Sequence, residues 1–169
     1  LGDVYKRQLL AGGGYAEYVT CPENHAILKS PKLSWAEGAS IPEVYATCWL
    51  NLFIEAHMKE GDKIVFHAGA SGIGTAGIQL AQAFGCNSFV SAGTQEKIDF
   101  CLNLGASAGE IRSKDIFSKI KEWSPNGVDI ILDPVGAEYF EKNLSVLGLE
   151  GKLIICLLYT SDAADDMQC

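Results

Sequence analysis

One stretch of the sequence, residues 63–81 (KIVFHAGASGIGTAGIQLA), constrains the fold of this chain more than any other. It begins with a short apolar run, residues 64–66, which is typical of a strand buried on both faces. A loop of small residues follows at once, and apolar or small residues then recur at helical spacing from Ile73 to Phe84. The stretch therefore predicts a strand, a glycine-rich turn and a helix in direct succession.

This succession is the context in which a glycine-rich loop binds a dinucleotide. Glycines let the backbone approach a pyrophosphate closely, and the helix N-terminus offers unpaired N–H groups and a partial positive charge. A second apolar run at residues 88–92 supplies the next strand that a dinucleotide-binding unit requires. Gly77 is expected to let the helix pack tightly on the first strand. An ordinary strand-to-helix turn of an α/β protein is the alternative reading. The residues expected to contact the dinucleotide are Ala70, Ser71, Gly72, Ile73 and Gly74.

Strands and helices alternate along most of the chain, which predicts an α/β fold with right-handed crossovers. Ser34 and Glu37 fit a capping box at a helix start, and Pro42 suits the first turn of a second helix. An apolar stripe at helical spacing follows, and we expect all of it to pack in the core: Ile41, Val44, Tyr45, Cys48, Trp49, Leu52, Phe53 and Ala56. Further strands are predicted near 110–112, 128–133 and 152–156. Further helices are predicted over 95–104 with Ile98, Cys101 and Leu102 inward, from a Ser113 cap through Trp123, and over 139–147. The expected fold is a Rossmann-type parallel sheet, incomplete, with helices on both faces.

Both ends of the chain differ from its interior. Residues 1–8 show no periodicity, and residues 157–169 pass into a small, acidic tail that resembles translated sequencing-adapter sequence. We expect both to be non-native ends. Residues 15–20 alternate as a strand does, and residues 26–28 form a second short apolar run. Residues 9–33 are thus predicted to be the last strands of a separate β domain, and residues 34–156 a truncated dinucleotide-binding domain. A fragment of this kind is expected to turn over poorly or not at all.

Composition narrows the possible partners. The chain has 169 residues, 48% of them hydrophobic, which suits one globular domain. Its formal net charge of -8 argues against nucleic acid and anionic membrane surfaces as partners. No apolar run approaches the ~20 residues of a membrane span. Six cysteines lie without any C-x-x-C pair, which predicts neither a zinc cluster nor a disulfide framework. A cytoplasmic protein without a bound metal is the expectation.

Five segments together resemble one known family. They are HAGASGIGTA at 67–76, GGGYAEYV at 12–19, ASIPE at 39–43, SAGTQEK at 91–97 and YFEKN at 139–143. The chain resembles the zinc-independent quinone oxidoreductases of the medium-chain dehydrogenase/reductase superfamily, and most closely the tumour-suppressor-inducible branch, from about residue 10 to 155. The family's common loop has alanine, glycine and glycine where this chain has Ala68, Ser71 and Gly74. Ser71 therefore departs from the commonest pattern, although the branch is similar to this chain at that position.

The resemblance implies a function and several partners. The early β strands would belong to a GroES-like domain, most of which would lie outside this chain. The substrate would be a small quinone-like molecule, the cofactor NADP (NADPH), and the full-length protein a homodimer. Thr47 matches a threonine that lies against the nicotinamide in the family and would orient the ring. Val135 is a further expected cofactor contact.

The residues after the second strand bear on the choice between NAD and NADP. An NAD site needs an acid at the end of that strand, but residues 91–94 are small or polar there, with Lys97 just beyond. Hydroxyls and cations would instead favour a 2′-phosphate. The family contacts this phosphate with a serine or threonine, a lysine and a tyrosine. Thr94 and Lys97 match the first two, and Arg112 stands where the tyrosine would be. Glu96, turned inward, would favour NAD.

Hydride transfer requires positioning of the cofactor more than acid–base groups. A Ser71–His67–Asp133 hydrolase triad is disfavoured because Ser71 lacks a G-x-S-x-G elbow. No Cys/His spacing fits a catalytic zinc. Two readings therefore stay open: an NADPH-dependent oxidoreductase acting on quinones or related activated carbonyl compounds, and a dinucleotide-binding, redox-sensing domain or inactive fragment without turnover.

Overall fold

A computed structural model of the chain describes residues 15–112 and 114–156. Its centre is a five-stranded sheet in which every neighbouring pair of strands is parallel. The strands are β1 (Lys63–Phe66), β2 (Asn87–Ala92), β3 (Ala108–Ile111), β4 (Val128–Asp133) and β5 (Leu147–Ile155). The spatial order is β3-β2-β1-β4-β5, so β2 and β3 lie on one side of β1 and β4 and β5 lie on the other. The predicted Rossmann-type α/β sheet is confirmed.

Helices connect the strands and cover both faces of the sheet. They are α1 (Trp35–Trp49), α2 (Gly72–Ala83), α3 (Gln95–Asn103), α4 (Ile116–Trp123) and α5 (Phe140–Leu144). A π-helical segment, Leu50–Glu55, extends α1, and a short 3-10 turn lies at Glu23–His25. Within the described residues no helix combines the length and the apolarity that crossing a membrane requires.

Successive residues of β1 face opposite sides of the sheet, so that the strand contributes to two cores. Ile64 and Phe66 pack in the core under α1, α2 and α3, whereas Val65 packs with Ile120 of α4 in the second core. All four side chains are completely buried. Burial of one such side chain is worth about 1.5–3 kcal/mol. The apolar run in β1 therefore anchors the sheet from both sides.

Helix α1 begins where the capping box predicts. The Ser34 N–H donates to the Glu37 carboxylate at 2.8 Å, and the Glu37 N–H donates to the Ser34 hydroxyl at 3.2 Å. The prediction that Pro42 starts a second helix is wrong, because Pro42 lies inside α1. The helix continues through it because Ser34 has already nucleated the first turn. Because proline has no backbone N–H, α1 lacks the hydrogen bond that residue 42 would otherwise donate to the Gly38 carbonyl.

The apolar stripe of α1 is buried only in part. Cys48 and Leu52 are fully buried, but Ile41 is 37% exposed and Trp49 46% exposed, which corrects the expectation that the whole stripe packs in the core. Trp49 instead stacks on Phe53, with ring centroids 4.2 Å apart, at the surface. Trp49 lies about 100° around the helix from Cys48 and is therefore at the edge of the stripe rather than at its centre. Leu102, predicted to face inward, is also exposed.

Several predicted boundaries differ in the structure. Residues 15–20 and 26–28 form no strands, because neither segment pairs with a strand among the described residues and an unpaired strand leaves its N–H and C=O groups unsatisfied. Helix α5 ends at Leu144 because Leu147 already pairs with Val128 as the start of β5. Asp115 caps α4 by accepting from the Ser118 N–H at 3.2 Å.

Some predictions concern residues that this structure does not reach. Ser113 and the ends 1–8 and 157–169 lie outside the described residues. The assignment of residues 9–33 to a GroES-like domain stays a prediction.

Candidate functional site

The carboxyl ends of β1, β2 and β4 meet at one edge of the sheet, where two clefts adjoin. The β2-side cleft has a volume of about 210 Å³ and is lined by Ala68, Ala70, Ser71, Ala92, Gly93, Lys97 and Arg112. The β4-side cleft has a volume of about 400 Å³ and is lined by Glu43, Val44, Ala68, Ser71, Gly72, Ile73, Arg112, Pro134 and Val135. They share three lining residues, including Ser71 at the head of α2. Together they form a groove at the point where open α/β sheets bind ligands.

The loop between β1 and α2 is held in a fixed turn. Ala68 adopts a φ of 54°, a left-handed conformation that is uncommon for a residue with a side chain. Its carbonyl accepts from the Ser71 N–H at 2.9 Å, and the Gly69 N–H donates to the Ser91 carbonyl at 2.9 Å. The Ser71 hydroxyl accepts from the Gly74 N–H at 3.1 Å and so caps α2. The loop is therefore tied to both β2 and α2.

Each glycine of this region meets different surroundings. A Cβ on Gly74 would lie 2.6 Å from the Gly69 Cα, so Gly74 permits the helix to contact the loop backbone; it lines neither cleft. A Cβ on Gly77 would lie 2.5 Å from the Phe66 ring, as expected of tight packing on the first strand. Among the described residues, a Cβ on Gly72 would meet only the Val44 side chain, at 3.0 Å, and Gly72 lines the β4-side cleft. Gly72 is therefore the glycine that leaves space for a ligand.

The β2-side cleft carries two exposed cations. Lys97 and Arg112 both line it, and the Arg112 guanidinium lies over Gly93, 3.9 Å from the position of a Cβ there. Among the described residues the ion pairs are Lys114–Glu110 and Lys119–Glu122, so neither cation of the cleft is neutralised by one. Thr94 and Glu96 do not line the cleft. The Thr94 hydroxyl accepts from the Lys97 N–H at 3.4 Å and caps α3.

The β4-side cleft has apolar walls and one carboxylate. Val135, an expected cofactor contact, lines it together with Val44 and Ile73. Thr47 does not line it: its hydroxyl donates to the Glu43 carboxylate at 3.3 Å, one helical turn nearer the cleft. Glu43 was not identified as a site residue from the sequence, although its place one turn before Thr47 on a helix was a usable signal.

A buried hydrogen-bond chain lies behind the groove, and the sequence analysis missed it. His67, directly after β1, bonds through Nδ1 to the Ser91 hydroxyl at 3.0 Å and through Nε2 to the Asn143 Oδ1 at 2.8 Å. The Asn143 amide donates to the Asp133 Oδ2 at 2.8 Å. The Asp133 Oδ1 accepts from the Val135 N–H at 2.7 Å. All four side chains of the chain, Ser91, His67, Asn143 and Asp133, are at most 2% exposed.

Burial sets the charge of the histidine in this chain. It lowers the pKa of His67 below the ordinary 6.5, while the Asn143 hydrogen bond and the Asp133 charge oppose the shift. Since Asn143 presents its oxygen to His67, the neutral ring donates from Nε2 and accepts from the Ser91 hydroxyl at Nδ1. The geometry therefore fits a neutral imidazole in one tautomer.

The three residues of the disfavoured Ser71–His67–Asp133 triad, and the buried Cys48, make other contacts. Ser71 caps α2, and His67 and Asp133 each bond to Asn143 rather than to each other. Cys48 is fully buried beneath the groove and donates to the Ile73 carbonyl at 3.2 Å. Burial, with the neighbouring Cys156 and Glu43, raises the pKa of the Cys48 thiol to about 12. These side chains serve structure in the present arrangement.

Comparison with known proteins gives consistent matches. The family model described as "Zinc-binding dehydrogenase" matches residues 72–166. A quinone oxidoreductase of Pongo abelii is 34% identical over 146 residues, which are 85% of this chain and 44% of that protein. The quinone oxidoreductase of Homo sapiens has the same identity and coverage. This chain thus spans less than half the length of these curated relatives.

Solved structures agree with this result. The quinone oxidoreductase of Thermus thermophilus, described in a report that includes its complex with NADPH, superposes with a TM-score of 0.79 at 31% identity, over 87% of this chain and 48% of that one. An NAD-dependent alcohol dehydrogenase superposes with a TM-score of 0.80 at 31% identity, over 85% of this chain and 42% of that one.

Proposed function

The chain belongs to the zinc-binding dehydrogenase family, and from this premise we propose that it binds NADPH and serves hydride transfer to quinones or related activated carbonyl compounds. The relatives are oxidoreductases, which supports that class directly. Among the similar structures, one report includes an NADPH complex and another concerns an NAD-dependent enzyme, so the choice of NADPH rests on this chain's own residues. The choice of quinones follows the names of the relatives.

The observation that carries the proposal is the placement of the groove at the N-terminus of α2. Helix α2 begins at Gly72, directly after Ser71, and Ser71 lines both clefts. That terminus favours a pyrophosphate by its unpaired N–H groups and its partial positive charge. The two clefts then extend in opposite directions for the two halves of a dinucleotide.

The preference for a 2′-phosphate rests on the β2-side cleft. Lys97 and Arg112 line it and form no ion pair with any residue that the structure describes, and Glu96, the acid that could oppose them, does not line it. A planar guanidinium over Gly93 suits a phosphate, because it can donate two parallel hydrogen bonds. Thr94 already accepts one hydrogen bond as a cap, but its hydroxyl proton is available to a phosphate oxygen.

The residues of the β4-side cleft would position the reacting half of the cofactor. Bound there, a nicotinamide would supply the hydride chemistry itself. Val44, Ile73 and Val135 form walls that exclude water from one face of a ring. The orienting role expected of Thr47 would act through Glu43, because the Thr47 hydroxyl donates to that carboxylate and Glu43 lines the cleft.

The family's description refers to zinc, and the described residues do not fit such a site. Within 15–112 and 114–156, no three His, Cys, Asp or Glu side chains come together in a group that could hold a metal ion. A structural or catalytic zinc needs three or four such ligands. The hydride transfer that we propose for this chain uses no zinc.

Further proposals concern the whole protein. This chain spans 44% of the length of its curated relatives, so properties of the whole protein are proposed rather than observed. We propose that the whole protein has a GroES-like domain over the nicotinamide and acts on a small quinone-like substrate. We also propose that it is a homodimer in the cytoplasm. A net charge of -8 makes nucleic acid and anionic membrane surfaces poor partners for the chain.

The cofactor assignment predicts a selective loss in one double variant. Replacement of Lys97 and Arg112 by alanine is expected to weaken NADPH binding by tenfold or more, since each lost charge-assisted hydrogen bond is worth about 1.5–3 kcal/mol. NADH binding should change little because NADH lacks the 2′-phosphate. Calorimetric titration with both cofactors measures this difference, and the wild-type preference should weaken as salt rises.

The matched control replaces Lys32 and Lys121, two exposed lysines that line neither cleft, and should leave both affinities unchanged. Equal affinity of the wild-type chain for NADH and NADPH would contradict the NADP assignment. NADPH binding without quinone-dependent NADPH oxidation by the full-length protein would favour a cofactor-binding module without turnover.

A further inference from the structure

The buried hydrogen-bond chain of Ser91, His67, Asn143 and Asp133 connects the two sides of the groove. We propose that His67 and Asn143 are positioning residues, which hold the loop after β1 and the turn after β4 in the orientation in which both clefts face one ligand. This inference rests on the proposed function, because the ligand is taken to be a nicotinamide dinucleotide. It adds roles for two residues that touch neither cleft.

One end of the hydrogen-bond chain fixes the wall of the β4-side cleft. The Asp133 Oδ1 accepts from the N–H groups of Val135, at 2.7 Å, and Gly136, at 3.2 Å. Val135 lines the cleft, and Gly136 has a φ of 84°, so the turn is tight. The second carboxylate oxygen of Asp133 is held by Asn143. Movement of Asn143 would therefore move the carboxylate and the wall with it.

The other end fixes the β2-side cleft. Ser91, whose hydroxyl bonds to His67, directly precedes Ala92 and Gly93, which line that cleft. The Ser91 carbonyl also accepts from the Gly69 N–H at 2.9 Å. His67 directly precedes Ala68, the left-handed residue of the loop. The hydrogen-bond chain thus reaches both clefts and the strained residue between them.

Only an amide at position 143 satisfies both neighbours. Asn143 accepts from His67 and donates to Asp133, whereas an aspartate could only accept. Aspartate at position 143 would place its carboxylate against that of Asp133, at the contact where the Asn143 amide now donates at 2.8 Å. Two carboxylates repel each other at this distance, so either one of them takes up a proton or the turn after β4 opens. No buried side-chain nitrogen or oxygen of the described residues lacks a hydrogen bond, so no spare partner is at hand.

The groups around His67 come from several elements. Asp133 approaches from β4, and the Tyr139 ring, at the start of α5, lies 5.0 Å from the imidazole. The Phe117 ring of α4 lies 5.9 Å away, and the Lys142 ammonium lies 5.8 Å from the centre of that ring. Arg112 and Glu138 act electrostatically on Tyr139. Asp133 is the acid in this set whose charge acts on His67, which makes the Asn143–Asp133 contact the sensitive point.

The first test compares NADPH binding by Asn143→Asp and wild-type protein from about pH 6 to pH 8. The ratio of variant to wild-type Kd is expected to be about tenfold or more at the alkaline end and to fall toward the acidic end, where a proton relieves the paired carboxylates. The 2′-phosphate of NADPH also titrates in this range, but its titration affects both measurements equally and cancels in the ratio. Asn126→Asp, the same change on an exposed loop, should give a ratio near one throughout. A pH-independent ratio would mean a merely structural role and would overturn the proposal.

A second pair of variants covers the case in which Asn143→Asp does not fold. His67→Gln keeps a donor and an acceptor and should retain affinity within about threefold, whereas His67→Leu removes both and should lose about tenfold. Equal binding by His67→Leu and wild type would overturn the proposal.

Ligand-free NMR separates this claim from the proposed function. If the positioning holds, the amide signals of Val135 and Gly136 shift in His67→Leu, because the change passes through Asn143 and Asp133. If those signals stay in place, the proposal fails even where NADPH binds. A wild-type chain that binds neither NADPH nor NADH would overturn the proposed function, while the amide signals would still decide the positioning.

Discussion

At the scale of single residues, Ser71 shows how a departure from a family pattern is accommodated. The commonest form of this loop has glycine at its position, but Ser71 has a φ of -75°, which any residue can adopt. Its hydroxyl caps α2 through the Gly74 N–H, a contact that glycine could not make. The unusual backbone of the loop lies instead at Ala68. Serine therefore adds a cap without adding strain.

We expect the buried His67 to make the folding stability of the protein sensitive to acid. Because burial depresses its pKa in the folded state, the unfolded chain takes up a proton first as the pH falls below 6.5, and the folded state loses relative stability. The slope approaches about 1.4 kcal/mol per pH unit until the folded histidine itself is protonated. His67→Gln should flatten this part of the stability–pH curve, measured by urea unfolding between about pH 5 and pH 7.

The exposed His25 supplies the matched substitution. His25→Gln should leave the curve as in wild type. An unchanged slope in His67→Gln would contradict a buried neutral histidine at this position.

At the scale of elements, the contact between α2 and β1 sets how closely the helix approaches the sheet. A Cβ on Gly77 would lie 2.5 Å from the Phe66 ring, and both residues are buried. Gly77→Ala is therefore expected to destabilise the protein by about 1–3 kcal/mol, despite the better helix propensity of alanine. Unfolding by urea measures the loss.

The Phe66→Leu background tests the cause. In that background the added methyl group has more room, so Gly77→Ala should lower the free energy of unfolding by less than it does in the wild-type background. Additive behaviour would give the same loss in both backgrounds. Gly38→Ala, whose Cβ meets only the flexible Lys29 side chain, is the control and should not destabilise. Full additivity of Gly77→Ala and Phe66→Leu would show that the Phe66 contact is not responsible.

Local patterns predicted the central elements, and long-range contacts decided the rest. The run through β1 and the loop to α2 were predictable because apolar periodicity and small residues act within one stretch. The strand predictions for residues 15–20 and 26–28 were wrong because strand formation depends on a neighbouring strand, which a local pattern does not reveal. The His67–Asn143 bond joins residues 76 apart in sequence and could not be anticipated. Lys97 and Arg112 were predicted as partners, but their common cleft depends on the β2–β3 pairing.

At the scale of the whole molecule, charge and topology act against each other. The chain carries a formal net charge of -8, which repels an anionic cofactor at long range. The parallel sheet brings the N-terminus of α2 and two cations to one edge, where they line the same groove; neither cation forms an ion pair within the described part of the chain. Binding of the proposed dinucleotide would thus depend on the local arrangement of this edge. Its central requirement would be open space at Gly72, which lines the β4-side cleft directly after Ser71.

A calorimetric titration of NADPH into Gly72→Val tests this claim most directly. Gly72 is preferable to Gly74 because, of the residues that the structure describes, its Cβ would meet only the Val44 side chain, so the fold should tolerate the change while the groove is obstructed. Gly38→Val makes the same substitution near the start of α1, away from the groove. We predict that wild type and Gly38→Val bind NADPH alike and that Gly72→Val, with an unchanged far-ultraviolet circular dichroism spectrum, loses detectable binding. Wild-type affinity in folded Gly72→Val would contradict the account.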